Sequence, residues 1–245
     1  MYVSYLSRFF IYWFARRQLK NIPRARQKPA VKTNFFPFVY SRSDIRKLID
    51  ATPACVRYPR CIMDAETLKT ILLLVYGTGM RIGNVLVLSD SHVNLERKTI
   101  HIQTEYPELS RDIPIGSDVA RLLRGYLESS VRAKFGPGRA LFLTTEGKAV
   151  PYAVVCHAFR HLRILAGVSR LNSSYQPRIH DLRHSFAVHS IANWQREDLS
   201  LEKMIPMLAA YMGNANFEAF GRYIELAPSS YQTQLSQLKI HHGKK

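Results

Sequence analysis

The chain has 245 residues, enough to bury a sizeable core and too many for a mini-protein that needs staples to fold. Hydrophobic residues at 47% and charged ones at 22% exclude a mainly disordered chain. A net charge of +17, from 35 Lys and Arg against 18 Asp and Glu, favours a polyanionic partner, either nucleic acid or an anionic membrane surface.

The first segment, residues 2–14, is rich in aromatics, but Arg8 interrupts it and Arg16 and Arg17 end it. It falls short of the ~20 apolar residues of a membrane span. Its charges follow the apolar run, which is the wrong order for a secretory signal. Nine basic residues precede Asp44, the first acid. Among them Arg16, Arg17, Lys20, Arg24, Arg26, Lys28 and Lys32 make a basic arm suited to a nucleic-acid backbone, a composition that a solvated linker also fits. Pro23, Pro29 and Pro37 break residues 21–42 into a linker that no continuous helix can occupy.

Beyond it, Ser43 is the expected N-cap of a short helix with Ile45, Leu48 and Ile49 on one face, and Asp64 opens a longer one with Leu68, Ile71, Leu72 and Val75. That helix is interrupted at Gly77-Thr78-Gly79, and a helical turn follows from Arg81 to Leu88. Alternation in Thr99-Ile100-His101-Ile102 and in Asp112-Ile113-Pro114-Ile115 predicts a hairpin. Residues 117–134 read as one amphipathic helix, Ala140 to Thr144 as a third strand, and Tyr152 to Ala166 as a helix. Helices over 181–195, from Ser200 onward and around 216–224 complete a mainly α, α+β domain with a small three-stranded antiparallel sheet.

Cys55, Cys61 and Cys156 have no CxxC spacing, which disfavours a disulfide scaffold and a thiolate zinc site and fits a reducing, cytoplasmic setting. His157 with His161, and His180 with His184, stand at i, i+4, a metal-ligand spacing that here lacks the supporting glutamate of HExxH. A zinc hydrolase is therefore a minor reading.

Three segments carry more. Thr78-Gly79-Met80-Arg81-Ile82-Gly83 sets an arginine in a glycine-flanked turn, where its planar fork can meet a phosphate. His180-Asp181-Leu182-Arg183-His184 places His and Arg at i, i+3 on one helical face. Tyr211-Met212-Gly213-Asn214 leads on to Arg222-Tyr223. In this order and at these separations they resemble the tyrosine recombinase, or phage integrase, family over residues 40–235.

The resemblance implies a site-specific recombinase that cleaves and rejoins double-stranded DNA through a 3′-phosphotyrosine, with no metal or cofactor. It assigns the nucleophile to Tyr223 and charge stabilisation at the phosphate to Arg81 and Arg183. His180 would orient the phosphate or handle a proton. Asn214 stands where the family has a histidine, and Asn84 where it has a glutamate. The hairpin loop, Thr104 to Arg111, contains no lysine where the family carries its general acid. Glu105 or Tyr106 occupies that position, leaving Lys98, Arg111 and Lys148 as possible substitutes. These departures also allow a DNA-binding remnant of a mobile-element integrase. The implied organisation is a stub of a DNA-clamping domain over 1–20, the linker over 21–42, a catalytic domain over 43–235 and a basic tail over 236–245. A homotetramer on paired sites, with no membrane partner, is the implied assembly.

Overall fold

The computed structural model describes Arg16 and residues 37–57, 61–104, 110–170 and 175–213. The basic arm apart from Arg16, the expected helix at 216–224, Asn214 and Tyr223 lie outside the described residues.

The first helix, α1 (Arg42–Asp50), is capped by Ser41. Ser41 Oγ accepts from the Asp44 amide at 3.0 Å, and the Asp44 carboxylate accepts from the Ser41 amide at 3.0 Å. This reciprocal box satisfies two donors that a helix start leaves unpaired, so the cap falls two residues before the expected Ser43. Pro53 sits in the first turn of the short α2 (Thr52–Cys55), where its missing N–H costs nothing.

Asp64 precedes α3 (Ala65–Thr78), as expected. Thr67, Leu68, Thr70, Ile71, Leu72, Leu74, Val75 and Thr78 are all buried, so this helix lacks a wide solvent face and serves as the core's axis. It packs against α5 (Ser117–Glu128) and α8 (Asp181–Arg196). Burying one such Leu or Ile side chain contributes about 1.5–3 kcal/mol.

The sheet is antiparallel in the order β1-β2-β3, with β1 at Val93–Asn94, β2 at Thr99–Ile102 and β3 at Arg111–Pro114. Thr99 pairs with Pro114 and Ile102 with Arg111, so Ile100 and Ile113 share the core face. The third strand is therefore Val93–Asn94 rather than the expected Ala140–Thr144. In that later segment Leu141, Phe142, Leu143 and Thr144 are all buried. Its backbone bonds run to different neighbours, Leu141 N to Leu88 O and Val150 N to Phe142 O, which leaves single bridges instead of a ladder.

The amphipathic run 117–134 divides at Ser129, whose extended backbone ends α5 and whose hydroxyl caps α6 (Ser130–Ala133). After α7 (Tyr152–Leu165), α8 and α9 (Leu201–Met212) pack together around Ala187, Val188, Ile191, Ile205, Leu208 and Met212. Among the described residues no helix is long and apolar enough to cross a membrane.

Candidate active site

α3 ends at Gly79, which adopts a left-handed conformation with φ 62°. A side chain there would run into the Phe186 ring, so glycine is required on two counts. The Thr78 hydroxyl donates to Leu74 O at 2.6 Å and accepts from the Met80 amide at 3.3 Å, closing the turn. Arg81 emerges exposed from that turn, at the cap of the short α4 (Ile82–Leu86). Both of its terminal nitrogens donate to Gly213 O at 3.4 Å.

Arg183 comes from the first turn of α8 and is only 2% exposed. One terminal nitrogen donates to Gly79 O at 2.5 Å and the other to Met212 O at 3.0 Å. A single guanidinium thus joins the first motif to the third.

The third motif supplies the acceptors. Gly213, with φ 67°, closes α9, and the carbonyls of Tyr211, Met212 and Gly213 belong to the last turn, where a helix leaves acceptors unpaired and carries partial negative charge. The arginines fill these positions, which holds their forks in place.

Arg111, at the start of β3, is the third arginine in the cluster and one of the three basic residues that the sequence offers in place of the hairpin lysine. It donates to Tyr211 O at 3.5 Å, and a side chain on Gly213 would overlap its guanidinium. Burial, followed by the Arg81 charge, lowers its affinity for its own proton. The other two substitutes bond elsewhere: Lys98 donates to Ser117 Oγ at 2.9 Å, and exposed Lys148 to Glu146 at 2.9 Å.

His180 immediately precedes α8, half-buried, with its ring edge-on to His184 at 5.1 Å. Asp181 turns back, its carboxylate accepting from the Arg178 amide at 2.9 Å and the Arg178 guanidinium at 3.1 Å. Tyr40 then braces this entry: its amide donates to Ser185 Oγ at 2.8 Å and its hydroxyl to Arg178 O at 2.9 Å. Burial, then the Asp181 charge, pushes the Tyr40 phenol well up, so it stays a donor. The Asp181 spacing to Arg178 is visible in the sequence; the Tyr40 contact, between residues far apart in the chain, is not.

Tyr211 is the tyrosine within the third motif. Its ring stacks on Phe186, its hydroxyl donates to Pro114 O at 3.0 Å, and burial pushes it up to about 12. Such a phenol is a poor nucleophile near neutrality. Among the described residues no group of three or more His, Cys, Asp or Glu comes together to hold a metal.

Burial, then Arg183 and Arg178, hold the His180 imidazole below its ordinary 6.5; Asp181 opposes this, and Arg81 adds to it. His189, which shares a 2.8 Å hydrogen bond with the Tyr76 hydroxyl, is lowered by burial and then by Arg42. The unfolded chain takes up these protons near pH 6.5 while the folded chain resists them, so their contribution is complete above 6.5 and declines as pH falls below it. Melting temperature should therefore fall between pH 6.5 and 5, and less steeply in His189→Gln. Parallel curves for parent and variant would refute the His189 contribution.

This architecture is shared with DNA recombinases of known structure. The chain superposes on XerA recombinase with a TM-score of 0.58 at 17% identity, covering 95% of this chain and 73% of that one. It also superposes on the Tn1549 transposon integrase in complex with circular intermediate DNA, with a TM-score of 0.63 at 15% identity, covering 94% and 76%. The fold is that of a tyrosine recombinase catalytic domain, the class of DNA strand-exchange enzymes. The sequence profile of the phage integrase family matches residues 41–227, and the chain belongs to that family. The integrase/recombinase y4rB of Sinorhizobium fredii is 25% identical over 234 residues, covering 92% of this chain and 74% of that protein. Tyrosine recombinase XerC of Escherichia coli O157:H7 is 29% identical over 191 residues, which are 77% of this chain but 59% of XerC.

Proposed function

We propose that the chain is a site-specific DNA recombinase in which Tyr223 attacks a backbone phosphodiester. The phosphorus–oxygen bond to the 5′ oxygen breaks as the bond to the Tyr223 oxygen forms, and the 5′ oxygen leaves as a hydroxyl. The resulting 3′-phosphotyrosine conserves the energy of the broken bond for attack by another strand's 5′ hydroxyl, so no cofactor is consumed. The observation that carries this reading is the gathering of Arg81 and Arg183 on the carbonyl end of α9, with His180 at the adjoining helix start.

Fixed guanidiniums are suited to the charge that builds on the non-bridging oxygens, because they stay protonated and are already oriented. His180, held neutral near pH 7, serves as a hydrogen-bonding partner or proton acceptor there. Asn214 follows directly on Gly213, and its side-chain amide is a hydrogen-bond donor where the family has a histidine. The arm residues Arg16, Arg17, Lys20, Arg24, Arg26, Lys28 and Lys32 grip the DNA backbone on this reading. The working assembly is a homotetramer on paired duplex sites in the cytoplasm.

Nicked suicide duplexes tiled across the DNA that flanks the chain's own gene provide the test. The parent should leave a covalent protein–DNA adduct on a denaturing gel and Tyr223→Phe none. Absence of an adduct from the parent on every duplex would overturn the enzymatic reading.

A further inference from the structure

We infer that Arg111 is a third phosphate-holding guanidinium of this site, acting by charge and hydrogen bonding. The inference rests on the recombinase reading above and adds a residue to it.

The geometry is the starting point. Arg81, Arg183 and Arg111 donate to the carbonyls of Gly213, Met212 and Tyr211 respectively, which are consecutive along one helix end. A helix end leaves about four carbonyls unpaired, but Gly213 already caps α9 and Arg111 reaches Tyr211 O only at 3.5 Å, so capping engages little of its guanidinium. Capping therefore does not account for a third arginine.

The bonding of Arg111 leaves more to explain. A guanidinium offers five N–H donors. Among the described residues Arg111 uses one, at the long distance of 3.5 Å, and its buried Nε has no hydrogen-bond partner. A partly buried cation beside Arg81, with so little done to satisfy it, costs free energy in the absence of an anion. An oxyanion placed among these arginines would satisfy the open donors and offset the repulsion. In DNA that anion is a backbone phosphate.

The backbone supports the same placement. Arg111 opens β3 and pairs with Ile102, so the sheet sets where its side chain starts. Gly213 then leaves room for the guanidinium to lie across the end of α9, where any side chain would displace it. Lys98 and Lys148, the other cations considered, are bonded to Ser117 and Glu146.

An arginine does not give up its proton near neutrality. The leaving 5′ oxygen accordingly takes its proton from water on this account, and Arg111 steadies the phosphate while it does.

Arg111→Met and Arg111→Lys test the assignment, each checked for an unchanged circular dichroism spectrum and melting temperature. Two readouts are needed. The first is the affinity of a short duplex as a function of salt: Arg111→Met should reduce the slope of log K against log[salt] by about one, and Arg111→Lys should retain it. The second is the single-turnover adduct rate on nicked duplexes with oxygen or sulfur at the 5′ bridging position. Arg111→Met should be slower by roughly 10²-fold with either leaving atom, and Arg111→Lys by less than about 10-fold.

Rates and slopes equal to the parent's would overturn the inference. So would a defect confined to the oxygen substrate, because sulfur leaves without a proton donor and that pattern would make Arg111 the acid. Equal losses in Met and Lys variants that track a lowered melting temperature would reduce Arg111 to a structural cap and overturn it as well. If the parent forms no adduct on any duplex, the recombinase reading fails, while the salt slope still decides whether Arg111 binds phosphate.

Discussion

Replacing Arg183 with lysine should lower the single-turnover rate of adduct formation by roughly 10²- to 10³-fold, the usual consequence of losing one preorganised oxyanion donor. The charge survives this substitution, so a site that needed only a positive field would tolerate it. What lysine cannot reproduce is the fork. The two terminal nitrogens of Arg183 reach Gly79 O and Met212 O at once, from a side chain with 2% exposure. A compact ammonium reaches one of those carbonyls and abandons the other, and the first and third motifs lose the bridge that Arg183 makes between them. DNA affinity should change far less, because exposed Arg81 and the basic arm retain their charges. An adduct rate within about threefold of the parent's would show that charge alone suffices, against the preorganisation argument.

The largest expected loss of stability lies elsewhere. Arg132 is 3% exposed, and one of its terminal nitrogens meets both oxygens of Asp90, at 2.7 Å and 2.6 Å. Its remaining donors reach Leu141 O at 3.1 Å and Gly136 O at 2.9 Å. The residue therefore pins α6 to the buried 140–143 segment and to the turn that leads into β1. Arg132→Met removes the cation and leaves a largely buried carboxylate and several carbonyls unsatisfied, at a cost of about 3–5 kcal/mol. In a protein of this size that lowers the melting temperature by roughly 6–20 °C. Adding Asp90→Ala should return part of the loss, since the stranded charge goes with it. A single variant that melts within about 2 °C of the parent would contradict this account.

Much of this arrangement is legible in the sequence. Apolar periodicity marks α3, α5 and α7, and alternation marks β2 and β3, because each buries one face or sits in a core whose spacing the pattern records. The motifs around Arg81 and Arg183 are short and self-contained, so their residue types survive as a readable signal. The hidden parts depend on partners distant in sequence or on local bonds that compete. Ser41 wins the cap because Asp44 reaches back to it, a contest that apolar spacing does not describe. Residues 141–144 look like a strand because they are continuously buried, yet their bonds go to separate segments.

Arg111 shows the limit most clearly. In the sequence it is one of several cations near a hairpin, and only the pairing of β2 with β3 and the close of α9 bring it beside Arg81. Tyr211 shows the converse. It lies two residues before Gly213 in the third motif, and its hydrogen bond to Pro114 O and raised phenol, both invisible in the sequence, set it apart from the role that the resemblance gives Tyr223.

The central claim is that this arginine site serves attack by Tyr223, and locating the covalent bond tests it most directly. The adduct trapped on a nicked suicide duplex would be digested with nuclease and trypsin, and the peptide that retains the nucleotide sequenced by mass spectrometry. Cleavage after Arg222 gives a peptide that begins at Tyr223 and also contains Tyr231, so fragment ions must assign the modified ring. The account predicts the nucleotide mass on Tyr223 and an unmodified Tyr211 and Tyr231. A nucleotide on either of those tyrosines, or strand cleavage with no covalent bond to protein, would contradict it.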